Sequence, residues 1–468
     1  MAEIVIVGGG IAGLTGAMLL ARDGHHITVL ERDPASPPPD PTDAWAEWER
    51  RGITQFRLSH AFLPRFRAVL DAELPDVTDA LVAAGALRSN RLATMPDSMT
   101  GGWREGDERF EVVTGRRPTI EAALALVAGR EPGVVIRRGV AVRGLLVGHP
   151  STSAIPHVAG VVTDGGERVT ADLVVDASGR RSAFPGLLAD AGVRRPIDEA
   201  ADSGFVYYAR HFRSADGEMP VGFGPPLQHY ESVSFVTAVA DNGHWSVTLT
   251  ARADDIVMRA ARDVEVWERI VGSYPLIAHW TDAQPITAVD TMAKIEDRIR
   301  RFSVDGRPVA TGIVAVGDAW ACTNPSVGRG ASIALLHAVS LRDVVRKVGT
   351  DDRATLTREW GEITAREVEP LVTDTLHFDH HRLAEMDAQI AGRTYETEDA
   401  EWNFGRALGA AAGRDPDLLR AAVDMASLYQ RPGDLLARPD IIERLRAVGP
   451  VDPLPGPGRA QLLDILGR

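Results

Sequence analysis

The stretch EIVIVGGGIAGLTGAMLLARDGHHITVLERD, Glu3 to Asp33, decides the fold. Ile4 to Val7 is a short β-branched run, Leu14 to Arg22 has helical spacing, and Ile27 to Leu30 is a second strand, the order of a nucleotide-binding βαβ unit. Gly8, Gly10 and Gly13 fit G-x-G-x-x-G. The first glycine permits a tight turn, the second lets backbone approach a pyrophosphate, and the third lets helix pack closely on strand. The helix N-terminus then offers unpaired N–H groups and a positive dipole end to phosphate. Glu31, with Arg32 beside it, closes the second strand 21 residues past Gly10 (31 − 10), where an acid meets a ribose hydroxyl and disfavours a 2′-phosphate. NADP is therefore a poor occupant, while NAD and FAD both fit. A ligand-free glycine turn would explain the glycines but not strand, helix, strand and acid together.

Outward from this unit, the 468 residues exceed what one core usually supports, so two or three units sharing a large cofactor are expected. Hydrophobic content of 44% and 25% charged residues describe an ordinary globular chain, and no apolar run approaches the ~18 residues of a membrane span. A net charge of −14 repels nucleic acid and anionic membranes. The single cysteine, Cys322, excludes an internal disulfide, and the strand at the very start leaves no room for a basic-then-apolar leader. Together these make the cytoplasm the expected location. Lysine is nearly absent, with Lys294 and Lys347 the only two.

Pro34 to Pro41 is too proline-rich for helix or central strand and reads as a loop, followed by a short helix over Ala44–Arg50. Helices are expected over Pro64–Ala84 and Pro118–Ala128, strands over Val134–Ile136 and Val140–Val147, and a hairpin over 158–176 ending in ADLVVDASG. GFVYYARHFR, SVSFVTAVA and HWSVTLTA alternate with period two between turn residues, an antiparallel sheet inserted into a parallel one. Ile313–Val316 returns as a buried strand, Gly330–Val345 as a helix, and the chain beyond about residue 350 is helical and charged.

The choice of dinucleotide rests on GIVAVGDAWACTNPSVGRGASIALLHA, Gly312 to Ala338. It puts Asp318 at the end of a buried strand and a proline–glycine turn before a helix. Asp318 suits a sugar-alcohol chain, and N–H groups around Gly328–Ala331 suit negative charge on a reduced flavin. Here the chain resembles the FAD-dependent monooxygenases with the para-hydroxybenzoate hydroxylase fold, a broader group that includes epoxidases, halogenases and geranylgeranyl reductases. Gly317, Asp318, Pro325, Gly328 and Gly330 match the GD-x₆-P-x-x-G-x-G motif with which that family touches ribityl and flavin ring. Trp320 and Arg329 stand where the family more often has histidine and glutamine. ADLVVDASGRRS resembles its middle motif through Asp176, with two residues inserted before Ser182. RRGITQFRLSHAFLPRFR (Arg50–Arg67) and RRPTIEAAL (Arg116–Leu124) resemble its ring-side loop and its arginine helix, which carries Arg117.

The resemblance implies an α/β chain: a Rossmann-type FAD-binding domain, an inserted antiparallel-sheet substrate domain and a C-terminal helical region. The expected division is FAD-binding over 1–85, 116–185 and 291–345, substrate-domain segments over 86–115 and 186–290, and C-terminal helices over 346–468. FAD would contact Gly8, Gly10, Gly13, Glu31, Arg32, Arg117, Val142, Asp176, Asp318, Pro325, Gly328 and Gly330. Tyr207, Arg57, His60 and Trp320 are the substrate-side candidates; Tyr207 and Tyr208 must point to opposite faces of their strand. The implied activity is hydroxylation or epoxidation of a small aromatic, polyketide-like or terpenoid substrate with O₂ through a peroxyflavin, in secondary metabolism. NAD(P)H is the transient electron donor, or a separate flavin reductase takes its place. A reductase resembling geranylgeranyl reductase and a flavin-binding module without turnover are the alternatives. A halogenase is disfavoured, since no lysine precedes Lys294 and no Trp-x-Trp-x-Ile-Pro segment exists.

Two features invite other chemistry. His377 and His381 in HFDHHR have a chelating i, i+4 spacing without an evident third ligand, so no metal is expected. Cys322 reads as a small packing residue, and no Gly-x-Ser-x-Gly elbow is present.

Overall fold

The βαβ unit forms at the centre of a five-stranded parallel sheet in the order Ile313–Ala315, Leu173–Asp176, Glu3–Val7, His26–Glu31, Val134–Arg138. The structure is a computed structural model describing residues 1–148 and 155–467. Register sets Val7 opposite Leu30 on one side and Asp176 on the other, so the ends of three strands meet at the glycine loop. The central strands are apolar on both faces, as a covered parallel sheet requires. Ile4 and Ile6 pack with Leu14, Met18, Ile120 and Leu335 of the helices Ile11–Arg22, Arg117–Ala128 and Gly330–Val348. Val5 and Val7 pack instead with Val158 and Val161 of a small antiparallel sheet, Val142–Gly148, His157–Thr163 and Arg168–Thr170.

The inserted sheet is six-stranded and antiparallel. Phe205–Arg213 and Val233–Val239 flank His244–Arg252, with Leu227–His229, Gln284–Pro285 and Asp290–Met292 on the outside. Alternation divides its residues: Tyr208, Phe212, Phe235 and Leu249 pack with Trp267 and Ile270 of the helix Val264–Gly272, while Tyr207 and Ala209 face a cavity. Asp241 ties this sheet to the nucleotide unit, accepting from the Arg116 backbone N–H at 2.5 Å and its Nη2 at 2.6 Å.

After residue 350, the helices Arg353–Ile363 and Glu369–Ile390 run through a π-turn at Thr364–Val368, and Ala400–Ala411, Pro416–Ala426 and Pro439–Val448 form a bundle with its own core. Local differences from expectation have local causes. Pro64–Ala84 is two helices, Pro64–Glu73 and Pro75–Ala83, because Pro75 has no N–H to continue the first. Ala44–Arg50 holds only one turn, Ala44–Glu47. Of the stretch 158–176, only its first two strands form a hairpin, and Leu173–Asp176 joins the parallel sheet. Among the described residues no helix is long and apolar enough to cross a membrane.

Candidate functional site

One cavity of about 1810 Å³ runs from the glycine loop past Asp318 to a chamber beneath the inserted sheet, walled on its far side by the C-terminal helices. Ordinary small-molecule pockets measure ~300–1,000 Å³, so this one can hold a dinucleotide and a second molecule together. Its dinucleotide end is shaped by glycines. A Cβ on Gly8, whose φ is +112°, would lie 2.4 Å from the Ala177 carbonyl oxygen, and one on Gly13 would lie 2.0 Å from the Gly8 oxygen. Those two are needed for backbone packing. Gly10 differs: it lines the cavity, and a Cβ there meets nothing within 4 Å. It caps Ile11–Arg22 with no side-chain bond and no acid in the first turn, leaving the helix end open to an anion.

Further along, the turn Gly317–Ala319 sets Asp318 against the cavity. Its carboxylate accepts no hydrogen bond from any described residue, and burial pushes its pKa up, opposed by the cations Arg180 and Arg117. A half-buried carboxylate on the cavity wall, with no donor among the described residues, is free to accept from sugar hydroxyls. Arg300 fixes the turn by donating to the Ala319 and Arg180 carbonyls, each at 2.8 Å. Pro325–Val327 is a short turn ending at Gly328, φ +68°, and Gly330 opens the helix Gly330–Val348, again with no acid in the first turn and nothing within 4 Å of a Cβ. The open cradle, uncapped helix ends and donorless carboxylate fit FAD.

Glu31 reaches the cavity already engaged. Its Oε2 accepts from Gly9 N at 2.7 Å and Arg50 Nη2 at 2.5 Å, and its Oε1 from Asp33 N at 2.9 Å. Arg50 also donates to Glu121 Oε2 at 2.6 Å, and Glu121 Oε1 accepts from Arg117 Nε at 2.6 Å. The charge chain continues to His60, whose Nε2 lies 3.2 Å from Arg117 Nη1. Because its Nδ1 must donate to the Leu58 carbonyl, Nε2 is the acceptor, and burial beside Arg117 pushes the imidazole down to about 4. His60 is thus neutral at pH 7. Arg32 donates to the Gly52 carbonyl, and Arg32, Arg117 and Val142 all line the cavity.

Tyr207 also faces the cavity, and its hydroxyl donates to Asn324 Oδ1 at 2.5 Å. Asn324 Nδ2 reaches Asp379 Oδ1 at 3.2 Å, which also accepts from Ser326 Oγ at 2.8 Å. Asp379 is 2% exposed, its Oδ2 has no partner, and burial pushes it up to about 7. A carboxyl poised near neutrality is therefore wired to the loop Pro325–Gly330 from behind.

Four expected contacts stand off the lining: Gly13, spent on packing against the Gly8 backbone, and Trp320, Arg57 and Asp176. Trp320 turns into the core with Ile299, Ile333 and Val368, edge-on to His337, because it follows the turn that points Asp318 the other way. Arg57 is consumed by the carbonyls of Trp45 and Trp48. Asp176, fully buried, organises the segment 177–182 instead, accepting from Ser178 N and from the Ser178 and Ser182 hydroxyls; Ala177–Arg181 form the wall. Cys322 is buried with its thiol pushed up to about 12, the inert packing residue expected. The His377/His381 pair, by contrast, does acquire a third neighbour, Asp399. Arg50, Glu121, Arg180, Asn324 and Asp379 were not singled out from sequence. All five nevertheless stand within stretches already quoted: Arg50 opens the ring-side loop, Glu121 lies in the arginine helix, Arg180 in DASGRRS, Asn324 before Pro325 in the GD stretch, and Asp379 in HFDHHR.

With this geometry in place, comparison with known proteins gives the fold. The sequence model of the NAD(P)-binding Rossmann-like domain matches residues 6–36. PqsL of Pseudomonas aeruginosa, described as a probable FAD-dependent monooxygenase, superposes with a TM-score of 0.60 at 16% identity, over 82% of this chain and 97% of that one. The chain therefore shares the fold of that FAD-dependent monooxygenase structure. In sequence, the chain is 28% identical over 395 residues to Protein Rv3254 of Mycobacterium tuberculosis, covering 78% of each. It is 25% identical over 359 residues to the chloroplastic zeaxanthin epoxidase of Solanum lycopersicum, matching 72% of this chain but only 47% of the epoxidase.

Proposed function

We propose that the protein is an FAD-dependent monooxygenase acting on a bulky, largely apolar small molecule that carries one acceptor or anionic group. The observation that carries this is the continuity of the cavity: the cradle ending in Asp318 opens directly into a chamber lined by Met95, Met99, Phe223, Leu419 and Met425. When bound, FAD supplies electron transfer and activation of O₂. Gly10 and the helix end behind it would hold the pyrophosphate, Glu31 the adenosine ribose, and Asp318 the ribityl hydroxyls. Backbone N–H groups at the helix start, Gly330 and Ala331, with the buried Arg329 beside them, would stabilise negative charge at the ring. The apolar chamber excludes water from the reaction.

In that chamber Arg91 donates to the Gly224 carbonyl and has no carboxylate partner among the described residues; burial pushes it down to about 10. An unpaired guanidinium in an apolar cavity favours a substrate bearing a carboxylate, phenolate or carbonyl. Aromatic, polyketide-like and terpenoid acids meet that description. We take NAD(P)H as the direct electron donor, binding transiently, since the one dinucleotide fold is used for FAD.

Mass spectrometry of the released cofactor tests the first step, and FMN or no flavin would refute the reading. Product formed under ¹⁸O₂ should carry the label; unlabelled product would assign a reductase instead. Anaerobic mixing with NADH or NADPH should bleach the flavin band. Bleaching only after a flavin reductase is added would make the enzyme one half of a two-component system.

A further inference from the structure

HFDHHR lies on the helix Glu369–Ile390, and the function above does not use its histidines. His377 and His381 share one face of that helix, with ring centroids 4.6 Å apart at 72°. The chain beyond the helix returns Asp399 to the same face. Its Oδ2 sits 2.9 Å from His377 Nε2 and 3.4 Å from His381 Nε2, and the three ligand atoms lie within 4.8 Å of one another. Separations near 3 Å are those of donors sharing one ion at ~2.0–2.2 Å.

The surroundings orient two of the three groups independently. The far nitrogen of His381, Nδ1, lies 2.7 Å from the Tyr395 hydroxyl, and its ring stacks on Trp402 at 5.3 Å. An outer partner of that kind fixes which nitrogen faces inward. Asp399 is aimed by its other oxygen, Oδ1, which accepts from Trp402 N at 2.8 Å as the N-cap of Ala400–Ala411. His377 and Asp399 are about one-third exposed (34% and 31%) while His381 is 8%, so the cluster is anchored on one side and reachable on the other.

We propose that His377, His381 and Asp399 form a site for a divalent transition metal. Two imidazoles and one carboxylate suit zinc, cobalt, nickel or ferrous iron rather than calcium or magnesium, which take oxygen ligands. Three protein ligands leave a coordination position for water. The ion would join the helix Glu369–Ile390 to the start of Ala400–Ala411, both of which give side chains to the cavity wall, among them His377, Phe378 and Trp402. Its role is to brace that wall. Without an ion, both imidazoles must turn an N–H toward the same carboxylate oxygen, and metal titration separates the two arrangements.

The full chain, stripped with a chelator and dialysed, is titrated with Zn²⁺ and, anaerobically, with Co²⁺, Ni²⁺ and Fe²⁺, and its unfolding temperature is followed. One equivalent should bind, with a rise in unfolding temperature. Asp399→Asn keeps a capping oxygen and His377→Ala alters a partly exposed ring, so both variants should fold, as circular dichroism will check, yet bind at least ~10-fold more weakly. Absence of saturable binding near one equivalent for all four metals, or undiminished binding in both variants, overturns the site.

Discussion

The two walls of the cavity are held by different physics. On the nucleotide side, apolar parallel strands and glycines bring backbone against backbone, and there is no room for a methyl group at Gly13. On the C-terminal side, arginines do the docking. Arg420 pairs with the buried Asp107 at 2.6 Å and donates to the Thr100 and Gly102 carbonyls. Arg382, 1% exposed, donates to three carbonyls of the inserted sheet, those of Tyr230, Glu231 and Val233. Arg109 pairs with Asp424, and Arg431 with Asp374. The first wall is specified chiefly by close packing, with the buried Arg50–Glu31–Glu121 network beside its glycine loop, and the second chiefly by pairs that are costly to leave half-made.

The comparison predicts different failures. Arg420→Ala leaves Asp107 buried and unpaired and should cost ~3–5 kcal/mol in urea unfolding, whereas replacing both partners by apolar residues should recover much of it. Gly13→Val forces backbone apart on the opposite wall. It should cost ~1–3 kcal/mol or more, with flavin lost in proportion, and the absorbance at the flavin band of purified protein reads this directly. Asp318→Ala touches neither wall's packing. It should weaken FAD by ~1–3 kcal/mol, a roughly 5- to 150-fold rise in Kd by fluorescence titration, with little change in the unfolding of flavin-free protein.

Asp379 lies on the seam between the walls, and its titration measures that seam. Its carboxyl is raised from an ordinary 3.8 to about 7, so the folded state holds the proton more tightly than the unfolded chain. The stability it contributes is complete below about pH 4 and is lost as pH rises toward 7. Asp379→Asn should therefore flatten the decline in stability across that window by up to ~1.4 kcal/mol per pH unit relative to the parent protein, and thermal unfolding at several pH values checks it. The smallest structural effect is expected from Gly330→Val, whose side chain enters open space at a helix start. Stability should move by ~0.5 kcal/mol or less while turnover falls sharply; unaltered turnover would remove the loop from the active site.

The same division explains what could be read from the sequence. Glycine spacing, β-branched runs and the GD motif are local signals, and they located the nucleotide sheet, the inserted sheet and the cavity residues Gly8, Gly10, Glu31, Asp318, Gly328 and Gly330. Period-two alternation separated Tyr207 from Tyr208. Side chains whose direction depends on a turn were not legible: nothing local shows that Trp320 points away from the cavity while Asp318 points into it. Long-range partners were hidden for the same reason. Arg57 looked free until the Trp45 and Trp48 carbonyls were beside it, and HFDHHR lacked a third donor until the chain folded Asp399 back by some twenty residues. Asp379, the seam's carboxyl, sits inside that same motif with no sequence mark of its burial.

The order of the parallel sheet has a further consequence, during synthesis. Its last strand, Ile313–Ala315, pairs among the described residues only with Leu173–Asp176, and the whole inserted sheet is translated between them. At ~5–20 residues per second a ribosome needs on the order of ten seconds to deliver the missing edge. Through that interval the Leu173–Asp176 strand, LVVD and fully apolar until its last residue, has an open hydrogen-bonding edge on the nascent chain. The nascent protein therefore passes through a stage at which chaperone cover matters most, and it ends when Ile313 leaves the exit tunnel.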